Sequence, residues 1–239
     1  MMKPLQRFAW GRLRHWLLAA LLVSVLSPSL CAAKGWKFAT SERGISVFLQ
    51  QEPGRQVPKF RGVVTIDQPV MQLLAVLADI PRSCEWNAAC VHARVVKRSS
   101  DFKMLFHLRL KAPWPVSDRD AVLKTSARVR ADGKRVKAIF RAIPYGKIKP
   151  ASGVVRFPRL IGTYVMNAIG PNRTQVKYTI DSESGGWLPN WLVRYATQKV
   201  PIATLDGLRK QAKKTKGTYA AFIARNTPKS PKPAPVAKP

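Results

Sequence analysis

Residues 110–125 read LKAPWPVSDRDAVLKT, and residues 185–210 read GGWLPNWLVRYATQKVPIATLDGLRK. The first stretch ends one strand and opens another around a stiff turn. Leu110 closes an alternation in which Phe102, Met104, Phe106, Leu108 and Leu110 face one way while Lys103, His107, Arg109 and Lys111 face the other. That period of two, broken only by Leu105, predicts a half-buried strand. Pro113, Trp114, Pro115 and Val116 then make an apolar loop stiffened by two proline rings. Beyond it the chain resumes an extended course, with Leu123, Thr125, Ala127 and Val129 expected on the inward side.

The second stretch predicts a helix over about 188–210 that is apolar on most sides, through Leu188, Trp191, Leu192, Val193, Tyr195, Ala196, Val200, Ile202, Ala203, Leu205 and Leu208. Only Arg194, Gln198, Asp206 and Arg209 form a polar stripe, so the helix has to be buried against a sheet. Pro201 lacks a backbone donor and is expected to kink it.

The remaining sequence supplies that sheet. Ile45, Val47 and Leu49 alternate with polar neighbours, and a second extended run covers about 60–66, with Glu52-Pro53-Gly54 turning between them. Asp67 stands where an N-cap belongs, and Val70, Leu73, Leu74, Leu77 and Ala78 follow at helical spacing. Runs over about 121–129 and 136–143 flank Asp132-Gly133 as a hairpin with a cationic outer face of Lys124, Arg128, Arg130, Lys137 and Arg141. Further strands fit about 153–157, 160–169 and 176–180, predicting a mostly antiparallel sheet in an α+β fold. A chain of 239 residues with 46% hydrophobic composition suits one domain with a substantial core.

The ends differ in character. Lys3, Arg7, Arg12 and Arg14 precede an apolar run from Trp16 to Leu26, then Ser27-Pro28-Ser29 and the small-residue stretch Cys31-Ala32-Ala33. This reads as a secretory signal peptide over 1–33, cut after Ala33, which predicts an exported, periplasmic protein. A membrane anchor would need roughly 20 apolar residues, and lipid attachment at Cys31 lacks the small residues expected before it. Removal of 1–33 takes away four of the 42 basic residues and none of the 12 acidic ones, leaving a formal net charge of +26. Such a charge favours anionic lipid head groups or cell-wall polymer over nucleic acid outside the cytoplasm, or serves solubility alone. Residues 213–239 turn Lys- and Pro-rich and are expected to be a disordered tail.

These pieces, with FRGVVTIDQPVMQLLAVLADI at 60–80, EWNAACVHARVV at 85–96 and VRFPRLIGTYVM at 155–166, occur in an order that resembles the bacterial members of the START family. The resemblance covers about 36–210 and implies the helix-grip fold: a curved antiparallel sheet wrapped around a long C-terminal helix, with an apolar cavity for one lipid-like molecule. The START-like domain is then expected over 34–212. The cavity candidates are Met104, Phe106, Leu108, Leu123, Thr125, Tyr164, Leu192, Tyr195 and Ala196. The resemblance also makes 111–118 the loop over the tunnel entrance, with Trp114 either dipping into a membrane interface or packing beneath the loop as a plug. Sterol-carrying relatives place an acid and an arginine at positions that fall here on Phe106 and Thr125, neither charged, which argues for a ligand whose head group, if any, sits at the mouth.

Signals for catalysis are weak. After the signal segment only His92 and His107 remain, with no Gly-x-Ser-x-Gly elbow, so a triad is not expected. Arg119-Asp120 reads as a structural ion pair, and His107 as a solvated histidine. Cys84 and Cys90 can form a disulfide in an oxidising compartment, and with His92 they match no common zinc spacing. No cofactor, metal or nucleic acid is expected, and the protein reads as a monomer. The competing classes are a helix-grip enzyme of the cyclase or hydrolase type and a basic polyanion-binding protein of the envelope.

Overall fold

A computed structural model describes residues 35–229, so the signal peptide expected over 1–33 and the last ten residues of the expected tail, 230–239, lie outside the described residues. Ten strands form one sheet: β1 (Lys37–Glu42), β2 (Ile45–Gln50), β3 (Lys59–Ile66), β4 (Cys90–Arg98), β5 (Met104–Leu110), β6 (Asp118–Val129), β7 (Arg135–Ala142), β8 (Val154–Arg156), β9 (Arg159–Gly170) and β10 (Arg173–Glu183). The helices are α1 (Val70–Ala78), followed by a 3-10 segment Ile80–Glu85, then α2 (Asn190–Arg194), α3 (Val200–Lys214) and α4 (Ala220–Asn226). The strand order is β1-β2-β3-β10-β9-β7-β6-β5-β4, with β8 beside β6. Pairing is antiparallel except between β6 and β8, where Asp118–Asp120 run parallel to Val154–Arg156. The architecture is the helix-grip fold, an α+β arrangement in which the long C-terminal helical segment is held against the sheet.

Alternation decides which strand faces make the core. Met104, Phe106 and Leu108 of β5 are buried, as are Phe60, Val64 and Ile66 of β3 and Val176, Tyr178 and Ile180 of β10. From the helical side Ile202, Leu205, Leu208 and Ala212 of α3 and Leu73 and Leu74 of α1 join the same cluster. Each such side chain contributes about 1.5–3 kcal/mol on leaving water. Two glycines set how closely α3 approaches. A Cβ at Gly62 would stand 2.6 Å from Leu205 Cδ1, and one at Gly207 would stand 2.0 Å from the Trp86 carbonyl oxygen. Gln72, buried inside α1, donates through Nε2 to the carbonyls of Ala212 and Thr215, which satisfies the C-terminal end of α3.

Several expectations need correction. Asp67 is not the N-cap of α1. Pro69 holds that position in extended conformation with no side-chain cap, and the first turn is fixed instead by proline geometry and burial of Val70 and Met71. Next to Pro201, where a kink is expected, the helix widens into a π turn over Tyr195–Lys199, closed by the Val200 N–H donating to the Tyr195 carbonyl. The turn ends two residues before Pro201, so the proline falls in the first turn of α3, where a missing donor costs little. Thr197 Oγ1 donates to the Val193 carbonyl at 2.7 Å, bonding back within the same segment.

The tail expectation also fails over 213–229. α3 continues to Lys214, past the domain end expected at 212, and α4 packs on the core through Tyr219, Phe222 and Ile223. Phe222 meets Phe102 edge-on at 6.2 Å, Tyr219 donates to Asp79 Oδ2 at 2.8 Å, and Arg225 and Asn226 both reach Asp101. Burial and the Asp79 contact push the Tyr219 phenol up to about 12. An average over lysines and prolines hides three apolar residues at i, i+3 and i+4. Among the described residues no helix is long and apolar enough to cross a membrane.

Candidate functional site

Between the sheet and the C-terminal helical segment lies a cavity of about 180 Å³, with a second void of about 80 Å³ against it. The larger cavity is walled by Leu108 and Leu110 of β5, Phe140 of β7, Leu160 of β9 and Tyr178 and Ile180 of β10. It is roofed by Leu192, Val193, Tyr195, Ala196, Thr197 and Val200. The smaller void is lined by Phe106, Leu123, Thr125 and Tyr164, with Leu77, Ile80 and Trp86 closing it from the α1 side. Asn87, Leu108, Phe140 and Tyr178 border both. Each is smaller than the roughly 300–1,000 Å³ of ordinary ligand pockets.

The partition is built tightly. Tyr164 and Tyr178 stack at 4.4 Å with planes 14° apart. Burial pushes both phenols up, so both are neutral. Phe140 lies over Gly162, where a Cβ would stand 1.9 Å from its ring, so only glycine admits the ring there.

The sequence-predicted residues divide between these spaces. Leu192, Tyr195 and Ala196 line the larger cavity, Phe106, Leu123, Thr125 and Tyr164 the smaller, and Leu108 both. Met104 lines neither and is buried in the main core. In the entrance loop Pro113 lines the larger cavity, while Val116 packs against Val57, Leu188, Leu192 and Val193. Trp114 is 90% exposed, which excludes its packing beneath the loop as a plug. Beside it in character are Trp187 at 77%, Trp191 at 45% and Tyr195 at 49% exposure. Each of these aromatics is, or immediately adjoins in sequence, a residue of the cavity lining.

Arg119 and Asp120 do not pair with one another, because successive strand residues point to opposite faces. Asp120 lies on the outer face, where Arg156 Nε donates to its Oδ1 at 2.7 Å and His107 Nε2 stands 2.8 Å from its Oδ2. Burial alone would raise the Asp120 carboxyl, but the Arg156 guanidinium and the His107 ring hold it below its ordinary value. His107 is therefore part of a buried network and not a solvated side chain. Arg119 lies on the inner face, 6% exposed, and lines the larger cavity together with Lys111. Parity contained this signal, since Arg119 is four residues before Leu123 and therefore shares its face.

Cys84 and Cys90 are disulfide-bonded, with Cα atoms 4.8 Å apart, tying the 3-10 segment to the start of β4. Among the described residues no group of three or more His, Cys, Asp or Glu side chains could hold a metal ion.

With this geometry in place, comparison with known proteins is informative. The START domain family model matches residues 21–216. An uncharacterized protein of Pseudomonas aeruginosa is 32% identical over 204 residues, covering 85% of this chain and 98% of the relative. The rat phosphatidylcholine transfer protein is 25% identical over 176 residues, 72% of this chain and 80% of that one. Among solved structures, a STAR-related lipid transfer protein fragment from Xanthomonas axonopodis superposes with a TM-score of 0.67 at 27% identity, covering 75% of this chain and 99% of that one. Human STARD10 shares the fold with a TM-score of 0.69 at 21% identity, over 81% and 79% of the two chains. An apolar cavity roofed by the C-terminal helical segment, together with a family match spanning most of the sequence, establishes that this chain belongs to the START domain family.

Proposed function

We propose that this chain binds one lipid or other hydrophobic molecule in the cavity beneath its C-terminal helix and carries it to or from a membrane of the bacterial envelope. The observation that carries the reading is the cavity itself, with apolar walls from five strands and a helical roof interrupted by a π turn, while the exposed Trp114, Trp187 and Trp191 each adjoin a lining residue in sequence. Relatives named as lipid transfer proteins support the same reading. Both spaces are small, so a lipid would enter by displacing the α2 and π-turn roof or the Trp114 loop.

Export fits the N-terminal sequence and the Cys84–Cys90 disulfide, which persists in an oxidising compartment. Trp114, Trp187 and Trp191 would sit at the membrane interface, with the basic surface attracted to anionic lipid at about 1 kcal/mol per cation before screening. The enzyme alternative draws no support from the cavity, whose lining among the described residues holds no carboxylate, imidazole or thiol. The test is mass spectrometry of small molecules co-purifying with the protein from its native host, joined to transfer of the identified lipid between vesicles. A stoichiometric lipid is the expected result. An empty cavity with tight, salt-sensitive binding to a soluble polyanion would replace this reading with polyanion binding.

A further inference from the structure

The charged residues that line the larger cavity are Arg119 and Lys111, both cations. Arg119 begins on the cavity face because it pairs with Leu110, and the alternation of β6 carries the same face on to Ala121 and Leu123. Its guanidinium donates only to neutral carbonyls: Nε to Ser184 at 3.5 Å, one terminal nitrogen to Ser117, and the other to Gly185 at 3.3 Å. Five N–H groups are available, so two remain beyond these three contacts. The acids on either side are committed elsewhere. Asp118 accepts from Arg109 at 2.7 Å and from the Ala112 N–H, and Asp120 faces the opposite side of the sheet with Arg156 and His107. Neither Arg119 nor Lys111 forms an ion pair with a carboxylate among the described residues. A guanidinium buried without a carboxylate in contact is costly; Asp118 acts on Arg119 and Lys111 only through space and is bound by Arg109, so the two cations facing one apolar void favour an anion there.

Building on the lipid-binding reading above, we propose that the cavity selects an amphiphile with a compact anionic head, a carboxylate or phosphate, held by Arg119 and Lys111 while a single chain lies beneath α2 and the π turn. The apolar remainder of the wall requires the chain.

The experiment is calorimetric titration of the delipidated full chain with dodecanoate, dodecyl phosphate and dodecanol, which share a chain and differ in the head. The two anions are expected to bind at least about tenfold more tightly than the alcohol, the effect of one charge-assisted hydrogen bond. In Arg119→Gln that preference should fall to within about threefold, with thermal unfolding followed to confirm a folded variant. Lys111 is exposed, so Lys111→Gln should fold normally and weaken the anions by about twofold to fivefold.

Equal binding of alcohol and anions by the unaltered protein overturns the anionic head while leaving the apolar cavity intact. Competition by inorganic phosphate as effective as dodecyl phosphate overturns the requirement for a chain. Binding of none of the three overturns this proposal and counts against the lipid-binding reading as well, whereas a native lipid found in the host with a neutral head sinks the anion preference alone.

Discussion

At the inner end of the cavity Tyr164 and Tyr178 stack with both phenols buried, Phe140 fills the space that Gly162 leaves, and Phe106 and Leu123 close the wall. At the outer end Trp114, Trp187, Trp191 and Tyr195 stand between 45% and 90% exposed. The inner aromatics stabilise the fold, since each removes a large apolar area from water. The outer aromatics leave comparable area in water and contribute little to the isolated fold. A cluster of exposed aromatics marks a surface that acquires a partner. The two ends therefore separate by what a mutation costs: stability at one and, on the proposed function, membrane or ligand binding at the other.

The largest expected effect is at the inner wall. Phe106→Ala should lower unfolding free energy in urea by about 3–5 kcal/mol, as large-to-small changes in packed cores do. A loss under about 1 kcal/mol would show that the inner void is pliable and erase the contrast.

Next is Asp120→Asn on the outer face of β6. Removing the carboxylate leaves Arg156 without its counter-charge and weakens the hydrogen bond to His107. The cost should be about 2 kcal/mol at neutral pH, below that of a fully buried pair because the Arg156 side chain is 24% exposed. Since the folded Asp120 carboxyl lies below its ordinary value, its contribution is complete above the unfolded value of about 4 and is lost as pH falls through the folded one. Acid titration of stability should show this limb in the unaltered protein and a weakened one in the variant. Identical acid limbs would remove Asp120 from the account.

The smallest effect on stability, and the one that sharpens the comparison most, is Trp114→Ala combined with Trp187→Ala. Unfolding free energy should change by no more than about 0.5 kcal/mol per site. Binding to vesicles containing anionic lipid should weaken about tenfold per tryptophan if each ring enters the interface. Unchanged vesicle binding and transfer would leave these rings without the role proposed for them.

Much of the sheet is legible in the sequence because a strand half-buried against one core writes its burial in alternate residues, as β5 does from Met104 to Leu110. The contributions of β1 and β4 are harder to see, since both lie at sheet edges and carry mostly exposed or half-buried residues. His107 was misread for a related reason. Its face of β5 is polar, yet Asp120 and Arg156 cover it there, and no periodicity encodes a cover that comes from 49 residues away in sequence. Arg119, by contrast, was legible by parity and was hidden only by the habit of reading adjacent opposite charges as a pair. The tail failed on composition, because Tyr219, Phe222 and Ile223 are few among lysines yet share one helical face. The π turn left no mark in the sequence beyond Pro201, since no residue pattern in 195–199 distinguishes it from regular helix.

That turn bears on how the sequence tolerates change in length. A residue added to a regular helix rotates everything beyond it by about 100°, and a π turn is the way a helix accommodates one extra residue without passing that rotation on. Between Tyr195 and Lys199 the chain takes up such a surplus, so the cavity roof upstream and the Ile202, Leu205 and Leu208 face downstream each keep their own orientation. Deleting one residue there would leave a better helix and a worse protein: either the roof or the core-facing side would turn toward water. The segment is thus one where a single-residue deletion is not borne, and its length is a constraint separate from the identity of its residues.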